Sequence, residues 1–211
     1  MPMSAPPKNR FERRRAETRQ ALIRAARQIL AETREISPSV QAIAERADVG
    51  SGSFYNHFES KTELFDAAVT DALEEFGQAI DERVRGIEDP AELVAAGFRL
   101  TARMADSHPE LMRILRDRGL GEIHSGRGLA ARALRDLELG IASTRFTCTN
   151  ATLALSAVGG TLISLVALRL AHPDLDGEEA ASGLAEMVLR MLGVPPDEAH
   201  DVTHRPLPDL G

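Results

Sequence analysis

From Phe146 to Leu168 the chain runs for 23 residues without a charged side chain. A helix of that length matches the thickness of a bilayer core, so lipid or protein must cover it. The stretch contains Thr147, Thr149, Asn150, Thr152, Ser156, Thr161 and Ser164, and lies between Arg145 and Arg169. That polar content disfavours membrane insertion. Thr152, Ser156, Gly160 and Ser164 fall four apart, so on a helix they form one small-residue face that a second helix can approach closely. The reading is a helix buried at a homodimer interface, with no membrane partner.

The remaining sequence is also helical in pattern. Leu and Ala dominate, both are strong helix formers, and no run alternates at the two-residue period of a strand. The fold class is therefore all-α, with about nine helices. Apolar residues make up 43% of the 211 positions, enough for a core. The length suits one large or two small domains. Residues 1–9 read as a disordered arm. Leu22, Ile23, Ala26, Ile29 and Leu30 mark a helix over about residues 10–34, which Pro38 ends. Short helices fit Val40–Ala47 and Ser51–His57, joined by the turn Asp48-Val49-Gly50. Ser60-Lys61-Thr62-Glu63 is a capping box, in which the Glu63 side chain is expected to reach back to Ser60. It opens a long helix with Phe65, Val69, Ala72, Phe76, Ile80 and Val84 on one face. Further helices fit Ala91–Ala105, a segment opened by Pro109, Leu129–Ser143, Cys148–Leu170 and Glu178–Leu192. Gly119, Gly121, Gly126 and Gly128 suggest a loop. The Pro-rich segment 194–211 reads as an irregular tail.

The single cysteine, Cys148, allows no disulfide within the chain and no multi-thiolate metal site. That fits a reducing cytoplasm. The Pro-rich Met1–Pro7 lacks the apolar stretch of a secretory signal. The formal net charge is -7, but it is unevenly spread. Residues 1–34 hold nine basic and three acidic side chains, a net +6. Residues 1–65 hold eleven and eight, a net +3, which leaves -10 for the other 146. A basic surface on an acidic body is compatible with nucleic-acid binding.

The pair of short helices at about Ser39–Phe58 has a plain use behind such a basic helix. The first braces across a DNA backbone, and the second enters the major groove, where base edges can be told apart. Ser51, Gly52, Ser53, Tyr55, Asn56 and His57 are small or polar enough to approach bases, and Phe54 and Phe58, four apart, serve as inward anchors. Arg13, Arg14 and Arg15 read either as a solvated helix start or as a flexible arm touching phosphates or the minor groove.

The stretch Ser39–Phe65 resembles the TetR family of regulators, above all in Gly52-Ser53-Phe54-Tyr55-Asn56-His57-Phe58 followed by Lys61 and Leu64. The likeness is specific over about Arg19–Phe65 and architectural beyond it. It implies a three-helix DNA-binding domain at 10–65 and a helical effector-binding and dimerisation domain at 66–193. It implies base or phosphate contact by Gln41, DNA-facing places for Ser51, Gly52, Tyr55 and Asn56, and phosphate contact by Ser39, Ser53, His57 and Lys61. The last two helices of each subunit would form a four-helix bundle, the second contributing Leu184, Met187 and Met191. Movement of the helix from Lys61 to Val84 would link effector to DNA. Two departures stand out. Asp48 occupies a turn position that is usually Gly, and Asp tolerates left-handed geometry. Gly50 occupies a place that is usually Ser or Thr, so Ser51 would have to supply the cap.

Between these regions, Phe98, Met104, Met112, Leu115, Leu137 and Phe146 are candidate walls of an effector pocket, or ordinary core. Arg99, Arg103, Arg113 and Arg116 read as solvated faces sooner than as partners of an acidic effector. His200 and His204 lie four apart but show no third metal ligand nearby, and His172-Pro173-Asp174-Leu175-Asp176 reads as a loop that ends a helix. No nucleophile–base constellation surrounds Cys148, so no metal, cofactor or enzymatic activity is expected. The implied function is a sequence-specific regulator, a repressor released from a palindromic operator by a small molecule. The alternative is a small-molecule-binding helical protein or enzyme without a DNA function, which would show no sequence-dependent retention of DNA.

Overall fold

Helix is the only regular structure among the described residues, which in this computed structural model are 10–32, 38–107 and 120–207. The helices are α1 (Arg10–Glu32), α2 (Val40–Arg46), α3 (Ser51–Phe54), α4 (Lys61–Arg83), α5 (Pro90–Ser107), α6 (Leu120–Ile123), α7 (Gly128–Ala142), α8 (Ala151–Ala171), α9 (Gly177–Met191) and α10 (Pro196–Thr203). Contacts divide the chain into two compact units, Met1–Ala72 and Leu73–Gly211, a division that falls inside α4. The expected arm 1–9 and the segment opened by Pro109 lie outside the described residues.

Local chemistry sets most of the helix ends. The Ser39 hydroxyl accepts from the Ala42 amide at 3.1 Å and starts α2. Asp48, at φ 55°, then ends it. The Asp48 amide donates to the Glu45 carbonyl (3.1 Å) and the Val49 amide to the Ala44 carbonyl (3.0 Å). That is the Schellman pattern, usually built on Gly. The same pattern closes α9, with Gly193 at φ 101°. There Gly is required twice over, because a Cβ would stand 2.1 Å from the Thr147 Oγ1. The Ser60 hydroxyl accepts from the Glu63 amide at 3.1 Å. The Glu63 carboxylate, however, accepts from the amide of Glu59 rather than of Ser60 (2.6 Å). Asn150 caps α8 through the Leu153 amide, and Asp176 caps α9 through the amides of Glu178 and Glu179. Asp176 thus ties down the loop from His172.

Three elements differ from the sequence reading. The α-helix at Ser51 stops at Phe54, and Tyr55–His57 form a turn. The glycine-rich stretch holds one helical turn, α6, which includes Gly121. The segment 194–211, expected to be irregular, contains α10. Pro196 stands at its first position, where a missing amide hydrogen costs nothing, and Ala199, Val202 and Thr203 are buried.

In the N-terminal unit, Leu22, Ile43, Phe54, Phe58 and Leu64 are among the most buried side chains. Asp71 of α4 accepts from Gln20 (3.0 Å) and Arg27 (2.9 Å) of α1. In the C-terminal unit, α9 packs on α5, α8 and α10, and α7 on α5 and α8. Phe98, Leu137, Phe146, Leu155, Leu165 and Leu189 belong to one buried cluster. Arg99, expected to be solvated, is buried at 5% exposure. Its Nη1 donates to the Arg205 carbonyl at 2.8 Å, which ties α5 to the end of α10. Arg145 joins Asp89 (2.8 Å) and Glu198 (2.8 Å), another tie to α10.

Arg132 of α7 clamps α4. It donates to Glu74 at 2.7 Å and to Asp81 at 2.7 Å, and its guanidinium lies over Gly77, where a Cβ would be 2.8 Å from Nη1. The hydrogen bond from Arg132 holds Glu74 at about 2, against its ordinary 4.5. Burial opposes the ionisation of Asp81, but the bonds from Arg132 and Arg135 still carry its pKa downward. A carboxylate depressed in the folded state stabilises above its unfolded pKa, and that contribution is lost as the pH falls through the folded value. Thermal melts should therefore show stability falling between pH 4.5 and about 2, with a smaller loss over that interval in Arg132→Met.

Candidate nucleic-acid interface

Phe54 and Phe58 are both essentially inaccessible to solvent, and their ring centroids lie 6.1 Å apart. One helical turn cannot hold itself in water, so these two anchors fix α3 and the turn behind it. With both rings inward, Ser51, Gly52, Tyr55 and Asn56 are exposed, while Ser53, His57 and Lys61 are half-buried. Tyr55 is 67% exposed, its ring edge-on to Phe54 at 5.2 Å between centroids. Nothing within 4 Å would meet a Cβ at Gly52, so the face there is open to close approach. The seven residues of Ser51–His57 thus share one segment, as read from the sequence.

The outlying candidates have defined settings. The Ser39 hydroxyl is engaged as an acceptor, which leaves its own hydrogen to donate. The Gln41 amide donates to Glu45 across one helical turn at 2.9 Å. The Lys61 ammonium donates to the Pro38 carbonyl at 3.1 Å, which fixes the start of α4 against the start of α2. Gly50 is the N-cap residue of α3 and has no side chain for the task, and Ser51 does not replace it, since α3 carries no side-chain cap.

Positive charge comes from α1. Arg13, Arg14 and Arg15 lie within that helix and not in a flexible arm. Arg19, which the sequence reading did not single out, lies over the Phe58 ring at 4.9 Å from its centroid, a cation–π contact. Burial, and then the charges of Arg15 and Arg19, push the pKa of His57 below its ordinary 6.5. The imidazole is neutral at pH 7, so it can offer a phosphate one N–H donor but no charge. An exposed polar segment on two rigid anchors, flanked by guanidinium groups, is chemically suited to reading base edges while phosphates are neutralised.

Of the pocket candidates, Phe98, Leu137 and Phe146 share the buried cluster of the C-terminal unit. The Met104 side chain, together with Met112, Leu115, Arg113 and Arg116, lies outside the described residues. Thr152 and Ser164 of the small-residue face are exposed, and Ser156 and Gly160 are half-buried. Met187 and Met191 are exposed, while Leu184 is half-buried.

Comparison with known proteins bears on both units. Residues 22–68 match the family model "Bacterial regulatory proteins, tetR family". Residues 89–205 match "Tetracyclin repressor-like, C-terminal domain", so α10 lies inside the matched domain. No curated protein matches the chain by sequence. Among solved structures, RolR in complex with resorcinol is 32% identical with a TM-score of 0.80, and the match covers 94% of this chain and 99% of that one. A tetR family transcription regulator from Shewanella sp. PV-4 is 18% identical (TM-score 0.66, covering 84% and 99%). FadR from Bacillus subtilis with stearoyl-CoA is 19% identical (TM-score 0.61, covering 83% and 99%). Those last two are similar in fold.

On duplexes selected from a random pool, Tyr55→Ala should lower affinity about tenfold. Lys61→Ala should weaken all sequences alike and reduce the salt slope by about one. Both should leave helicity unchanged. Gel-shift titration over a salt series and circular dichroism check this. Unchanged affinity in both variants would remove the segment from the interface.

Proposed function

The chain belongs to the TetR family of transcriptional regulators, and from that premise we propose that it is a dimeric repressor released from a palindromic operator by a small aromatic hydroxy compound. The observation that carries this reading is a single alignment, 32% identical over 94% of the chain, to RolR with resorcinol bound. It covers 99% of the other chain as well.

The DNA-facing roles are those the family resemblance implies, and the exposure of Ser51, Gly52, Tyr55 and Asn56 supports them. Ser51, Gly52, Tyr55 and Asn56 read bases; Ser39, Gln41, Ser53, His57 and Lys61 hold phosphates. One short segment reads few base pairs, and a twofold pair reads a palindrome. The surface of α8 and α9 supports pairing. Leu153 is 68% exposed and Met187 63% exposed, and Leu168 and Met191 are open as well. Apolar groups of that size beside the face of Thr152, Ser156, Gly160 and Ser164 suit burial by the same helices of a second copy.

The effector acts by binding one conformation of the dimer better than the other, since equal affinity would shift nothing. Phe98, Leu137 and Phe146, which share the buried cluster, are proposed to line the site, as the sequence reading placed them together with Met104, Met112 and Leu115. Movement of α4 is the proposed link.

Two measurements test the reading. Resorcinol, added to the protein–operator complex, should release DNA in a gel shift and raise the melting temperature of the free protein. A panel of small phenols that does neither removes this effector class. Gly160→Leu tests the dimer. A Cβ there meets nothing within 4 Å in the chain itself, so helicity should persist. A partner helix would be crowded, and dissociation should strengthen at least about tenfold by sedimentation, roughly 1.4 kcal/mol.

A further inference from the structure

We propose that Glu186, His200 and His204 form a binding site for a divalent transition-metal ion, with zinc as the best fit. Histidines four apart on a helix share one face, but two ligands alone make a weak site. The turn at Gly193 returns the chain so that α10 packs on α9, and this brings Glu186 to the histidine pair. One donor atom from each of the three residues lies within 4.8 Å of the others.

The donor set suits the ion. Zinc takes imidazole nitrogen and carboxylate oxygen at about 2.0–2.2 Å, so tetrahedral donors stand about 3.4 Å apart. His200 Nδ1 already lies 3.1 Å from Glu186 Oε2. The two imidazole centroids are 4.0 Å apart, so small side-chain rotations complete the approach. Imidazole with carboxylate also selects against calcium and magnesium, which prefer all-oxygen shells.

The second observation concerns the other nitrogen of His204. Its Nδ1 lies 2.8 Å from the His200 carbonyl oxygen. A carbonyl only accepts, so Nδ1 carries the hydrogen and Nε2 carries the lone pair. Ligand histidines are oriented by this kind of outer hydrogen bond. The opposite face of α10 is buried through Ala199 and Val202, which holds both imidazoles at the surface. His200 and His204 are exposed and Glu186 is half-buried, so an ion reaches the site from solvent. Arg190 Nη1 lies 3.9 Å from Glu186 Oε1, a loose contact that opposes a cation and sets a limit on affinity. The ion would tie α10 to α9 and stabilise their packing.

The test uses the untagged full-length chain, stripped with a chelator and titrated with zinc by calorimetry, then with cobalt by visible absorption. The expected result is one zinc per chain, a raised melting temperature and cobalt bands of a nitrogen–oxygen site. Glu186→Gln should weaken zinc binding tenfold or more, and the double variant H200Q/H204Q about 100-fold or more. Arg190→Gln should strengthen it. His172→Gln, in a separate loop, serves as the control and should change nothing. These side chains are exposed or, for Glu186, half-buried, and circular dichroism confirms folding of each variant. Absence of stoichiometric zinc binding by the wild type, or binding undiminished in H200Q/H204Q, overturns the proposal. No arm of the test involves DNA or an aromatic effector, so it stands apart from the repressor reading.

Discussion

A four-residue helix gains too little from its own hydrogen bonds to exist alone, and the segment proposed to face DNA begins with one, α3. Its position depends on the burial of Phe54 and Phe58. Each ring buries enough apolar surface for a stabilisation of about 1.5–3 kcal/mol, comparable with the whole free energy of a short helix. Because the two are four apart and both inward, they fix the segment along its axis and about it. The exposed side chains between them inherit that fixity. The neighbouring contacts follow from the same anchor: Arg19 lies over Phe58, and the turn before α3 takes a left-handed Asp48 so that the chain can arrive there.

The parts legible in the sequence were those decided by short-range chemistry. The period of Leu22, Ile23, Ala26, Ile29 and Leu30 placed α1, and all five are buried. Asp48 and Ser60 were readable as turn and cap residues because their partners lie within four positions. The exposure of Ser51, Gly52, Tyr55 and Asn56 agrees with the spacing of Phe54 and Phe58. What was not legible depended on residues far apart in the chain. Arg99 looked solvated because nothing near it announces that α9 and α10 will cover it. Glu186 stands fourteen positions before His200, and only a turn at Gly193 makes them neighbours. The helix in the Pro-rich tail is masked in the sequence because proline breaks a helix interior, whereas at a first helical position, as at Pro196, it initiates.

Charge is arranged with a similar economy. The basic groups near the proposed recognition segment come from α1, and burial and those charges lower the pKa of the half-buried His57 beside them. In the C-terminal unit Arg132 and Arg145 are committed to structure. Arg132 clamps α4 through Glu74 and Asp81, and Arg145 bridges Asp89 and Glu198. The net acidity after residue 65 therefore does not describe the surface proposed to face DNA, and it discourages that part of the molecule from binding phosphates.

The carboxyl-terminal helix carries a different kind of consequence. Val194, Ala199 and Val202 are buried in the same cluster as Phe98 and Leu189, and Arg99 and Arg145 are fastened to the residues around them. A gene shortened before residue 195 would leave an uncovered apolar patch, and would take from Arg99 its carbonyl acceptor and from Arg145 one of its two carboxylates. Fusions are best joined after Leu207, and chimaeras between relatives should exchange the C-terminal unit with α10 included. Pro-rich sequence near a chain end is ordinarily the first to be trimmed for crystallisation or display, and here trimming would remove part of the core.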